Sequence, residues 1–219
     1  MALRFWHAFA LFSLSAATVR SQQGSAPIVQ PGAPGESGKT LSAATAAAPA
    51  PEPADADTKF MQGMIMHHSQ AVEMTALMPS RTHNKELLAF GKRISISQSD
   101  EMKFMKQWLE DRGKPVEMPM DHSHMDHSKM GAMAPMMMPG MLTPEQMKTL
   151  AKATGPAFDH LFLTGMIQHH GGALTMVQDL FSVPAAGQDS LLYDFVTDVD
   201  NTQSAEIKIM QGMLSKEKK

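Results

Sequence analysis

Residues 57–74 read DTKFMQGMIMHHSQAVEM, and residues 159–176 read DHLFLTGMIQHHGGALTM. At an offset of 102, Asp57, Phe60, Gly63, Met64, Ile65, His67, His68, Ala71 and Met74 fall on identical residues of the second stretch. Nine identities in 18 gapless positions mark an internal repeat. The repeat resumes at an offset of 105, where Phe90, Gln98, Ser99, Glu101, Lys103, Met105 and Leu109 fall on Phe195, Gln203, Ser204, Glu206, Lys208, Met210 and Leu214. The change of three residues belongs in a turn, where insertions are tolerated.

The period within each copy is helical. Phe60, Met64, His67, Ala71, Met74 and Met78 recur in steps of four and three, as do Phe162, Met166, His169, Ala173, Met176 and Leu180. That spacing draws one apolar stripe along a helix. Pro79 and Pro184 end these helices. Ile94, Gln98, Glu101, Met105 and Trp108 mark a face of the following helix, which stops at Gly113 and Pro115. Thr143-Pro144-Glu145-Gln146 reads as an N-cap, a first-turn proline and a capping glutamine, and starts a short helix from Pro144 to Ala153. No alternating strand pattern of useful length occurs. The expected fold is all-α, a four-helix up-and-down bundle of ferritin-like type made from two helix-turn-helix repeats.

Around this core, residues 1–17 read as a secretory signal, with Arg4 ahead of a short apolar run and small residues at Ser15 and Ala17. Left uncleaved, the run would be a membrane anchor. Residues 18–56 are rich in Ala, Pro, Gly and Ser and read as a disordered tether. The bundle spans 57–214: repeat 1 at 57–112, a linker at 113–142 and repeat 2 at 143–214. The net charge of -3 gives no electrostatic case for nucleic acid. After signal cleavage no span of a membrane is expected, and the location is periplasmic or secreted. The chain has no cysteine, so soft-metal chemistry must rest on Met and His.

Two constellations carry such chemistry. On a helical projection Asp57, Met61, Met64 and His68 lie near one line, and His67 lies across the stripe beside Met74. The second copy repeats this with Asp159, Met166, His170, His169 and Met176, but Leu163 replaces Met61. A thioether and an imidazole four residues apart can share a metal ion. The competing reading is that the methionines are core and the histidines hydrogen-bonded core groups, although burying four imidazoles without partners would be costly. Asp57 and Asp159 would orient a histidine or cap a helix. Glu101 with Glu206, and Gln98 with Gln203, would form either a buried supporting layer or a solvated face.

The linker is the second constellation. It holds Met118, Met120, His122, His124, Met125, His127 and Met130, then Met133, Met136, Met137, Met138 and Met141. Four prolines argue against a regular helix. Thioethers and imidazoles together favour copper(I) and silver(I), while zinc is the weaker candidate.

These motifs resemble the CopM-like family of exported proteins, long catalogued as a domain of unknown function and grouped with ferritin-like bundles. The resemblance covers 57–214 and rests on the doubled His-His helix and on Ile94, Gln98, Glu101, Met105, Trp108 and Leu109. It implies an exported bundle that binds copper(I) and silver(I) and supports copper tolerance. The positions implied as ligands are Met64, His67, His68, Met74, Met166, His169, His170 and Met176. The linker lies outside the shared motif.

The function expected is therefore buffering or delivery of copper in the cell envelope, exchanging metal with a copper carrier or exporter there. Two alternatives stand beside it: a ferritin-like metalloenzyme with redox activity at the His-His sites, and a structural bundle with an incidental Met-rich linker. No Glu-x-x-His pair, phosphate loop or nucleophile elbow is present. From the ordinary imidazole pKa, copper held by these histidines would leave between about pH 7 and pH 5.

Overall fold

The computed structural model describes residues 28–30, 39–41, 52–118 and 137–217. Residues 1–17, read above as a secretory signal, and the linker residues 119–136 lie outside them. The chain divides into two units, residues 1–49 and 50–219. In the first, strands β1 (Ile28–Gln30) and β2 (Lys39–Leu41) pair antiparallel, with Ile28 opposite Leu41. This short hairpin lies inside the segment read as a structureless tether. Three residues per strand are too few to show an alternating pattern in sequence.

The second unit is helical: α1 (Asp55–Leu77), α2 (Lys85–Asp111), α3 (Pro144–Lys152), α4 (Gly155–Ser182) and α5 (Ser190–Glu217). The 3-10 turn Met78–Ser80 carries Pro79, and α4 ends two residues before Pro184, as the helix-stop reading expects. The start of α3 forms a capping box. Gln146 N–H donates to Thr143 Oγ1 at 3.2 Å, and Thr143 N–H donates to Gln146 Oε1 at 2.8 Å. The N-caps of α2 and α5 are repeat mates. Asn84 Oδ1 accepts from Leu87 N–H, and Asp189 Oδ1 accepts from Leu192 N–H. None of the described helices is long and apolar enough to cross a membrane.

Each repeat is an up-and-down helix pair, α1 with α2 and α4 with α5, and the two pairs meet through α1 and α4. Apolar side chains gather in two clusters at opposite ends. One contains Phe60 and Met64 of α1, Met105 and Trp108 of α2, Met176 and Leu180 of α4, and Leu192 and Val196 of α5. The other contains Met74, Leu87, Phe90, Ile94, Phe162, Met166 and Met210. Following each helix from one cluster to the other shows that α4 runs antiparallel to α1. The 113–154 connection is therefore a crossover along the bundle, the ferritin-like arrangement.

The two loops between paired helices each reach the acidic residue of the other repeat. Gly187 N–H donates to Asp57 Oδ1 at 2.8 Å, and Asn84 Nδ2 donates to Asp159 Oδ2 at 3.2 Å. Asp57 also accepts from Ala54 N–H and so holds the start of α1. Both aspartates thus tie helix starts and turns together, and among the described residues neither is hydrogen-bonded to a histidine.

Candidate metal centre

Between the two apolar clusters every long helix contributes polar side chains at one level. These are His67 and His68 from α1, Gln98 from α2, His169 and His170 from α4, and Gln203 from α5. The four histidines are 0% exposed and both glutamines 2% exposed. The helical stripe placed the paired histidines on its rim. The structure places them inside, because α1 and α4 cross here and each covers the other's stripe.

Each imidazole is held by one ring nitrogen. His67 Nε2 donates to Pro139 O at 3.0 Å, and His169 Nε2 donates to His67 O at 2.8 Å. A carbonyl only accepts, so the proton sits on Nε2 and Nδ1 carries the lone pair. His68 Nε2 lies 2.6 Å from Glu101 Oε2, and His170 Nε2 lies 2.7 Å from Glu206 Oε2. Ser97 Oγ donates to the other oxygen of Glu101 at 2.7 Å. Glu101 and Glu206 are thus the partners of the buried histidines, and only 22% and 15% of their side-chain surface is exposed.

Among the described residues, Nδ1 of all four histidines is buried with no hydrogen-bond partner, as are both amide atoms of Gln98 and of Gln203. Leaving such groups unsatisfied costs about 1–3 kcal/mol each, so a merely structural core would select against them. An imidazole with Nε2 bound to a carboxylate or carbonyl and Nδ1 free has the form of a metal-ligating histidine with its supporting partner. Burial is the main cause that lowers the His67 pKa from 6.5 to about 3, and nearby His68 adds to it, while the Pro139 contact opposes it. His169 is pushed well below its ordinary value, first by burial and then by His67. Both rings are therefore neutral and able to ligate at neutral pH. For Glu101, burial acts to raise the pKa, but the hydrogen bonds with His68 and Ser97 hold it below its ordinary value.

Among the described residues no three or more His, Asp or Glu side chains converge on a common metal position. Methionines of the two repeats fall in the same apolar clusters. Met64 and Met176 share one apolar cluster, and Met74 and Met166 share the other. The antiparallel crossing brings this about, and a single helical projection could not show it. Glycines let the helices approach. A methyl on Gly63 would lie 3.4 Å from Met176 Cε, and one on Gly165 would lie 3.3 Å from Met74 Cε.

Both ends of the linker are part of the bundle. Gln62 Nε2 donates to Pro115 O at 2.7 Å and to Glu117 O at 3.1 Å. Gln70 donates to Leu142 O at 3.0 Å and accepts from Leu142 N–H at 2.7 Å. Leu142 is 3% exposed, and Val116 and Met138 pack on the core. The ends of the 113–142 segment are thus held on the core without forming a regular helix. Two glutamine amides satisfy its backbone, which permits its burial. Met118 is half-buried; Met120, His122, His124, Met125, His127 and Met130 lie outside the described residues. His160 is exposed and pairs with Glu217.

The helical unit is thus a ferritin-like four-helix bundle with a buried layer of four histidines. The family model described as a domain of unknown function (DUF305) matches residues 57–214, and the chain belongs to that family. No curated protein matches it. A DUF305 fragment from Deinococcus radiodurans is similar at 25% identity and TM-score 0.62, covering 76% of this chain and 99% of that one. A DUF305 protein from Streptomyces coelicolor, described as secreted, is 28% identical with TM-score 0.61, covering 74% and 93%. CopM in its Cu(I)-bound form is 25% identical with TM-score 0.54, covering 73% and 96%. CopM is also known in Cu(II)-bound and silver-bound forms.

Proposed function

We propose that this protein is an exported copper(I)- and silver(I)-binding protein that buffers or delivers copper in the cell envelope and so supports copper tolerance. The observation that carries the proposal is the set of four buried imidazoles, each anchored through Nε2 and each with Nδ1 unpartnered. The likeness to copper- and silver-bound CopM supports the choice of metal. His67, His68, His169 and His170 supply nitrogen, and Met64, Met74, Met166 and Met176 supply thioethers from the flanking clusters. Glu101 and Glu206 orient two of the rings. The linker residues Met118, Met120, His122, His124, Met125, His127 and Met130 capture the metal. Export rests on the N-terminal signal, and an envelope copper carrier or exporter is the exchange partner.

The test is native mass spectrometry of the mature protein with Cu(I), Ag(I) and Zn(II). Retained Cu(I) and Ag(I), reduced in a folded variant with all four layer histidines changed to Ala, is the expected result. An unchanged metal count in that variant would mean that the histidines are core groups.

A further inference from the structure

The Met138–Leu142 strap breaks the two-fold relation of the repeats at the histidine layer. A methyl on Gly63 would lie 3.4 Å from Met138 Sδ as well as 3.4 Å from Met176 Cε. At its repeat mate Gly165, the neighbours are Leu142 Cδ2 at 3.0 Å and Met74 Cε at 3.3 Å. One side of the crossing thus carries two thioethers over its glycine, and the other carries one thioether and a leucine. Gly63 lies one turn before His67 on the same face of α1. Pro139, the residue after Met138, accepts the His67 hydrogen bond. Met138 is half-buried against the core, and its neighbour Met137 is 39% exposed.

We infer that Met138 and Met176 form a thioether pair that takes a soft monovalent cation, Cu(I) or Ag(I), from the surface beside His67, and that the Gly165 side has no equivalent. This rests on the copper-binding reading of the histidine layer and deepens it. Thioethers are neutral soft donors, so the pair binds the ion without releasing a proton. Their position between an exposed methionine and a buried imidazole makes them the point of entry. The two repeats, identical at nine of 18 positions of their His-His helices, then load in order, the His67 side first. The asymmetry comes from one inserted strap and not from the repeated helices.

The test is an Ag(I) titration of the full mature chain carrying methyl-labelled methionine, followed by NMR with the histidine rings observed in parallel. The Met138 and Met176 methyl signals should move together, with one midpoint, and before the His169 ring. In Met138→Leu, a volume-conserving change, the Met176 midpoint should rise by roughly tenfold or more, a scale seen even when only a supporting contact to a ligand is lost. A Met138 signal that stays still to saturation overturns the inference, as does an unchanged Met176 midpoint in Met138→Leu. If the four histidine rings respond while Met138 does not, the entry site alone fails. If no ring responds at any Ag(I) level, the copper-binding reading fails with it.

Discussion

The imidazoles of His67 and His169 lie against each other where α1 crosses α4, with ring centroids 3.8 Å apart and planes tilted by 37°. Each is fully buried, and each donates its Nε2 proton to a backbone carbonyl. Two charged rings at this separation would repel, and burial penalises even one. The neutral pair is therefore a property of the fold, with consequences for acid stability and metal retention.

Acid should weaken the metal-free bundle from near pH 6.5 downward. Burial holds the His67 pKa at about 3, and that of His169 well below 6.5. Below pH 6.5 the unfolded chain binds protons that the native rings refuse. The contribution is thus fully present above that pH and is lost as the pH falls toward 3. For His67 alone the slope reaches about 1.4 kcal/mol per pH unit. Urea unfolding of the metal-free protein between pH 7 and pH 4.5 measures it, and a flat profile would sink the idea.

Copper in the histidine layer should outlast the pH 7 to 5 window expected from an ordinary imidazole. Protons compete for a ring nitrogen only near its folded-state pKa, and for His67 that is about 3. A protein lacking residues 119–136, desalted at pH 5, should keep its layer copper. Complete loss at that pH would show that the rings protonate as freely as in solution.

Changing Glu101 and Glu206 to Gln should lower Cu(I) affinity while the bundle stays folded. The carboxylates fix the rings of His68 and His170. Loss of such partners costs about 10–100-fold in metal affinity. Competition with a chromogenic Cu(I) chelator reads the change, and an affinity equal to wild type would exclude the supporting role.

Gly171 and Gly172 are adjacent but should respond oppositely to alanine. A methyl on Gly172 would lie 1.9 Å from Pro139 O, whereas one on Gly171 meets nothing within 4 Å. Gly172→Ala should cost about 1–3 kcal/mol by overpacking and should release the strap from His67. Gly171→Ala should be neutral, or stabilising by up to about 1 kcal/mol through helix propensity. Thermal unfolding of the two variants separates them, and equal effects would contradict the strap contact.

Asp189→Ala should destabilise by about 3 kcal/mol or more. Its buried carboxylate receives the Trp108 indole N–H at 3.1 Å and the Arg112 guanidinium, and it caps α5. Chemical denaturation checks this; a loss below about 1 kcal/mol would place the cluster among weak surface pairs.

The helices were legible because the sequence repeats its stripe, its proline stops and its caps. The equivalence of Glu101 with Glu206 and of Gln98 with Gln203 was legible as well. Whether these faces were buried or solvated was not, since a helical period shows which residues share a face and leaves the covering partner open. That the strap packs on the core was not legible, because its composition and prolines speak only against a helix. They do not deny a buried irregular segment whose carbonyls and amides meet Gln62, Gln70 and Gln168.

By itself the sequence determined four amphipathic helices in two copies, with a histidine pair and flanking methionines at matching positions. Local period, capping and repeat spacing are sufficient for that, because each acts over a few residues. Tertiary structure alone decided that α4 runs antiparallel to α1. It thereby puts Met64 and Met176 in one apolar cluster and Met74 and Met166 in the other, and lays His67 against His169. Those relations link residues about a hundred positions apart. They are set by which stripes bury each other and by a crossover that must run the length of the bundle.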